Sequence, residues 1–351
     1  MATDDPRETG LLFADEPPPA RSSVLPVVPS EAAVALAARL PNKLRLGGMS
    51  WAYPGWIGQV YAGATGDGQV TAAVLAREGL PAYAAHPLYR AVEIDKAYYR
   101  PLTEPELGHH AAQTPDDFRF LVKAHEDCVM RVFPQHARYG KRKGETNARY
   151  LDAAYAVGEV VGPIARGLGD KLGAVLIPFP PQDVAEPPPA FAERLGRFLE
   201  PLTRIAPIAV ELRNGELLTP AYTDALLATG AVHCHNVWTS MPNVRWQMQH
   251  VPPKARAPLL FRWLLRAGDR YETANARSVP YDRTVLPDPD NRAALASLVS
   301  RALAHDVPTT VLIDNKAEGC APESIERLAE AIASAVARLG EARLRDRSAA
   351  G

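Results

Sequence analysis

Short apolar runs alternate with longer amphipathic stretches from residue 44 toward the C-terminus. The runs are "LRLGG" (44–48), "AVEID" (91–95), "FRFLVKA" (118–124), "GAVLIPF" (173–179), "IAVELR" (208–213), "AVHCHNV" (231–237), "PLLFRWL" (258–264) and "TTVLIDN" (309–315). Most are apolar at consecutive positions, the pattern of a strand covered on both faces as in a parallel sheet. Helical periodicity lies between them, in residues 147–168, 189–205, 220–230, 291–306 and 321–340. The last of these has Pro322 near its start and Gly340 past its expected end, both boundary signals. Eight strands alternating with helices predict an α/β chain closed as a (β/α)8, or TIM, barrel in a single domain over residues 29–340. An open doubly wound sheet is the alternative, because strand count does not prove closure.

The polar residues break this pattern in one place, the C-terminal ends of the strands. Side chains two apart on a strand share a face. Glu93 and Asp95 are such a pair, as are Lys123 and His125, Glu211 and Arg213, and His233 and His235. Arg262 lies on the seventh strand, Asp314 and Asn315 end the eighth, and the first runs into Ser50 and Trp51. A barrel gathers those ends into one basin, where such folds hold their chemistry. Any single charge there reads first as a solvated or ion-paired rim residue. Matched pairs on several strands point instead to a functional cluster, with the acids Glu93, Asp95, Glu211 and Asp314 offset by Lys123, Arg213 and Arg262. By the same alternation His233 and His235 face the basin and Cys234 points away.

Aromatic residues crowd the segment after the first strand, where Trp51, Tyr53, Trp56 and Tyr61 fall in "WAYPGWIGQVY". They can stack on a sugar ring or a base, or plug the barrel mouth with their own side chains. Tyr99 after the second strand presents the same choice. The loop "RVFPQHARYGKRKGETNAR" (131–149) carries Arg131, Arg138, Lys141, Arg142, Lys143 and Arg149 against Glu145 alone. As a βα loop it lies on the active-site face and suggests an anionic ligand, with nucleic acid as the stronger form of that expectation.

Composition adds limits. The 39 basic and 40 acidic residues nearly cancel, so overall charge names no partner. Cys128, Cys234 and Cys320 lack the spacing of a disulfide framework or zinc ribbon and suit a reducing compartment. No apolar stretch approaches ~20 residues, which argues against a membrane span. Residues 1–28 are acidic and Pro-rich and read as a tail, residues 341–351 as a second, and the cytoplasm is the expected location. There is no phosphate-binding glycine loop, no "GxSxG", no "HExxH" and no dinucleotide fingerprint. His233, His235, Glu211 and Asp314 could assemble around a divalent metal, but structural histidines are the favoured reading, and no cofactor is expected.

Several stretches together resemble the YecE-like family, domain of unknown function 72. They are "GGMSWAYPGW", "VEIDKAYY" (92–99), "TPDDFRFLVK" (114–123), "LGAVLIPFPP" (172–181), "AVELR" (209–213) and "DNKAEGCAPES" (314–324). Asp95 stands where the family has asparagine, Asp314 where it has the first of two asparagines, and Pro178 or Phe179 near its strand-4 glutamine. The resemblance implies a TIM barrel with a site but no established reaction. The residues suggest an enzyme of hydrolase or lyase type acting on an anionic, phosphorylated or sugar-containing small molecule. In that reading Glu93 and Glu211 supply acid and base, with Asp95 and His235 as secondary proton carriers. Lys123, Arg213 and Arg262 hold an anion or developing charge, and Ser50, Tyr99 and Asn315 orient the ligand. The alternatives are a nucleic-acid-binding or -processing protein using residues 131–149, and a non-catalytic ligand-binding barrel. Oligomeric state is not written in the sequence.

Overall fold

The computed structural model describes residues 24–64 and 69–349. All eight expected strands form: β1 Leu44–Gly48, β2 Tyr89–Ile94, β3 Arg119–Lys123, β4 Leu172–Pro178, β5 Ile208–Glu211, β6 Val232–Val237, β7 Leu259–Trp263 and β8 Thr309–Ile313. They follow one another in chain order around a closed parallel barrel. Closure is made by β8 against β1, with Thr309 beside Leu44 and Ile313 beside Gly48. At the β1–β2 seam a Cβ on Gly47 would fall 1.8 Å from the Ala91 carbonyl oxygen, so this close approach admits only glycine.

Alternation divides the apolar residues into two bodies. On one face of each strand, residues such as Ala91, Leu121, Ala174, Ala209, Cys234, Leu260 and Leu312 fill the barrel interior. The other face of each strand, with Phe120, Val175, Val210, Phe261 and Val311, packs under the helices. Several interior side chains are alanines, which leaves room above them for long polar side chains reaching in from the rim.

Helix boundaries differ from expectation where local backbone intervenes. The stretch from residue 147 turns helical only at Ala153, capped by Asp152, whose carboxylate accepts from the amides of Ala154 and Tyr155. Leu151 just before it has φ 55°, a left-handed conformation that stops the helix from extending back. At the other end Ala321–Ala349 is one helix that runs through Gly340. An exposed glycine costs a helix only about 1 kcal/mol relative to alanine, and no proline follows to end it. The expected tail at 341–351 is therefore helical as far as residue 349. Of the expected N-terminal tail, residues 1–23 lie outside the described residues, while Val24–Pro26 pairs antiparallel with Tyr61–Ala64. Ser30 then caps the helix Glu31–Ala38. All three cysteines are free and buried. No helix among the described residues is long and apolar enough to cross a membrane.

Candidate active site at the barrel mouth

Arg262 organises the site. It is 1 % exposed, and its guanidinium crosses the barrel from β7 to reach carboxylates on two other strands. Nη2 donates to Glu93 Oε1 of β2 at 3.0 Å, and Nη1 donates to Glu211 Oε2 of β5. Glu93 also lies 3.3 Å from the Lys123 ammonium of β3, which donates in turn to Asp95 at the end of β2. Glu211 accepts from Arg213 Nε at 2.9 Å through its other oxygen. Buried carboxylates and guanidinium would be costly alone, and here each is compensated by a partner of opposite sign.

The two carboxylates on Arg262 differ in proton affinity. Burial raises Glu93, and Arg262 and Lys123 offset that rise without cancelling it. Burial acts on Glu211 too, but the guanidiniums of Arg262 and Arg213 outweigh it and hold this group at about 2. Asp95 is also lowered: burial opposes its ionisation and the Lys123 ammonium overrides it. Lys123 is raised, since Glu93 and Asp95 outweigh the effect of its burial. Two carboxylates whose environments push them in opposite directions are the arrangement that separates acid from base roles.

Above this cluster opens a cavity of about 600 Å³. Its floor includes Glu93, Lys123 and Arg262, with Asp95, Arg213, Asp314 and Lys316 higher up; Ser50, Trp51, Tyr53 and Tyr99 also line it. Ser50 Oγ accepts from the Ala52 amide at 3.3 Å, and the Tyr53 hydroxyl is held protonated by burial and then by Asp314 and Asp95. Asp314 pairs with Lys316 at 2.7 Å.

Four expected site residues lie elsewhere. His235 faces the helices, not the mouth, with its ring 4.7 Å from His233 and 5.1 Å from Phe261. Its partner His233 bonds to the Tyr222 hydroxyl at 2.9 Å. Cys234 is the residue that points into the barrel, because the alternation along β6 has the opposite phase to the one expected. His125 leaves the site because β3 ends at Lys123 and the chain turns; it bonds Tyr155 at 2.8 Å in a separate cleft with Asp127, Arg142 and Arg149. Trp56 and Asn315 bond each other, indole Nε1 to Oδ1 at 3.0 Å, while Asn315 also accepts from the Ala321 amide. They fasten the β1 loop to the start of the last helix. Glu211 sits one layer beneath the cavity and acts on it through Arg213 and Arg262.

Over residues 45–348 the sequence matches the family described as "Protein of unknown function DUF72". The chain belongs to the DUF72 family. Solved DUF72 proteins share the fold. One from Enterococcus faecalis V583 is 16% identical, covers 82% of this chain and 95% of its own, and superposes with a TM-score of 0.53. Another, from Thermotoga maritima MSB8, is 17% identical over 85% of this chain and 99% of its own, with a TM-score of 0.50. No curated protein matches.

The basic loop of this DUF72 protein is less exposed in charge than its sequence suggests. Arg138 pairs with Glu126 at 2.5 Å, Arg142 and Arg149 with Asp127 at 2.6 and 3.4 Å, and Arg131 with Asp183 at 3.7 Å. Glu126 and Asp127 lie just before the loop in the chain, on the turn that follows β3. The loop touches the cavity through Arg138, whose guanidinium lies 4.9 Å over the Tyr99 ring. Lys316 and Tyr98, at the ends of strands read from the sequence, also line the mouth, as do Trp238 and Tyr271, which sequence reasoning passed over. Trp238 had a usable signal, since it follows Cys234 at even spacing. Tyr271 begins a helix and had none.

Burial holds His233 and His110 each at about 4, well below the ordinary 6.5. Both are neutral in the fold, so their contribution to stability is complete above pH 6.5 and is lost as pH falls toward 4. Each adds on the order of 1 kcal/mol per pH unit to the slope in that window. The melting temperature should fall from about pH 6.5 to about pH 4.5, and His233→Asn should flatten the slope; an unchanged slope would contradict the assignment.

Proposed function

We propose that this DUF72 barrel is an enzyme of hydrolase or lyase type that moves a proton on a small anionic, phosphorylated or sugar-containing ligand. The opposed proton affinities of Glu93 and Glu211 across the shared Arg262 carry this reading. A purely structural ion-pair network needs no carboxylate tuned upward next to an open cavity. Asp95, 39 % exposed at its side chain, is the ionised carboxylate best placed to take a proton from ligand. Lys123 lies between it and Glu93 and supplies the proton-bearing partner, so the chain Asp95–Lys123–Glu93 leads from ligand to the buried acid. Glu211 keeps Arg262 and Arg213 in place. Trp51, Tyr53, Tyr98, Tyr99, Trp238 and Tyr271 give the ligand ring faces to stack on.

Support for nucleic acid is weaker, because four of the six loop cations are already paired with acids of the same chain. The test is a turnover screen over phosphorylated and sugar-containing small molecules, followed by Lys123→Met. Turnover of one compound, lost in the variant, supports the proposal. Tight binding of a compound with no turnover in wild type would leave a ligand-binding barrel instead.

A further inference from the structure

The cations at the mouth are not equally free. Arg262 spends both terminal nitrogens on Glu211 and Glu93, Lys123 is shared by Glu93 and Asp95, and Lys316 is held by Asp314. Arg213 differs. Only its Nε donates a hydrogen bond, at 2.9 Å to Glu211, and neither terminal nitrogen makes one among the described residues. Its plane lies against the indole of Trp238, 4.1 Å from guanidinium carbon to ring centroid. Both residues line the cavity, and Ser240 Oγ donates to the Arg213 carbonyl at 2.9 Å, tying down the backbone beneath.

We infer that the outer edge of Arg213, backed by Trp238, is the subsite for the oxyanion of the ligand, a phosphate or carboxylate. A guanidinium fixed on its Nε side and stacked on one face presents two parallel N–H donors in the geometry that a two-oxygen acceptor requires. Its orientation is set before ligand arrives, so little side-chain freedom is lost on binding. The rest of the mouth supports the same division. Asp95, Asp314, Lys123 and Lys316 cancel in charge; Lys96 also lines the cavity and Lys316 keeps donors beyond its bond to Asp314, but Arg213 is the cation there that offers two coplanar donors, and the Asp95–Lys123–Glu93 chain stays free for the reacting end. This rests on the reading of the cavity as a ligand site but not on catalysis.

The experiment is titration of the full chain with inorganic phosphate and, separately, acetate, followed by tryptophan fluorescence and calorimetry, with no turnover required. Wild type should bind at least one of them with a fluorescence change that Trp238→Phe removes. Arg213→Ala should weaken binding about 10- to 100-fold, and Arg213→Lys, which keeps charge but not the two-pronged edge, should fall between them. Which anion binds tighter identifies the group. Near-UV circular dichroism of each variant shows whether the fold is retained. Equal affinity in wild type and a folded Arg213→Ala protein would overturn the assignment, as would no binding of either anion by wild type. Oxyanion binding at Arg213 in a protein that turns over nothing would remove the proposed reaction and leave the subsite standing. Turnover of an uncharged sugar with no oxyanion binding would do the reverse.

Discussion

Arg262→Met lowers stability by about 3–5 kcal/mol, the largest loss expected from any single substitution at the mouth. Methionine occupies much of the volume of the arginine stem, so the loss does not come from a cavity. It comes from stranding Glu93 and Glu211, both fully buried, without the guanidinium that compensates them. Two consequences separate this cause from simple misfolding. Combining Arg262→Met with Glu93→Gln and Glu211→Gln should recover a substantial part of the loss, because the charges that made it costly are gone. The deficit of the single variant should also shrink at low pH, where uncompensated buried carboxylates take up protons. Urea unfolding of wild type, Arg262→Met and the triple variant at two pH values reads both. A triple variant no more stable than Arg262→Met would show that the arginine acts through packing.

Glu93→Gln should abolish most turnover while leaving the fold nearly intact. A positioned acid or base typically contributes about 10²- to 10⁴-fold, so kcat should fall by that order once a substrate is in hand. Glutamine preserves shape and one acceptor for Arg262 but carries no transferable proton. The pH–rate profile should lose the limb that follows Glu93, whose proton affinity is raised by burial despite Arg262 and Lys123. Unchanged kcat in a folded variant would demote Glu93 to a structural ion pair and pass the role to Asp95.

Periodicity made the eight strands legible and left their closure to the structure. All eight strands stand where short apolar runs were found, because a strand buried on both faces is apolar at consecutive positions and too short to be a helix of ordinary length. Half of the site was equally visible: Glu93, Lys123, Glu211 and Arg262 sit at strand tips and meet there. What failed was phase and local turn. On β6 every residue from His233 to Val237 is buried, so polarity could not say which face looks inward, and the histidines were given to the wrong one. At β3 a single turn after Lys123 removed His125. Trp56 and Asn315 were misread because a hydrogen bond between residues so far apart in the chain leaves no local pattern. The loop at 131–149 reads as more basic than it is for a simpler reason, since its counter-charges lie just before and well after it in the sequence.

One spectroscopic experiment bears most directly on the claim that two carboxylates on one arginine are set apart for different work. Carbon-13 NMR of labelled glutamate side chains, assigned with Glu93→Gln and Glu211→Gln, follows each carboxyl through a pH titration of the folded protein. Glu211 should stay ionised at every pH where the barrel persists, held at about 2 against its burial by Arg262 and Arg213, while Glu93 takes up its proton above the ordinary carboxylate value of 4.5. Two carboxyls titrating together near 4.5 would contradict it.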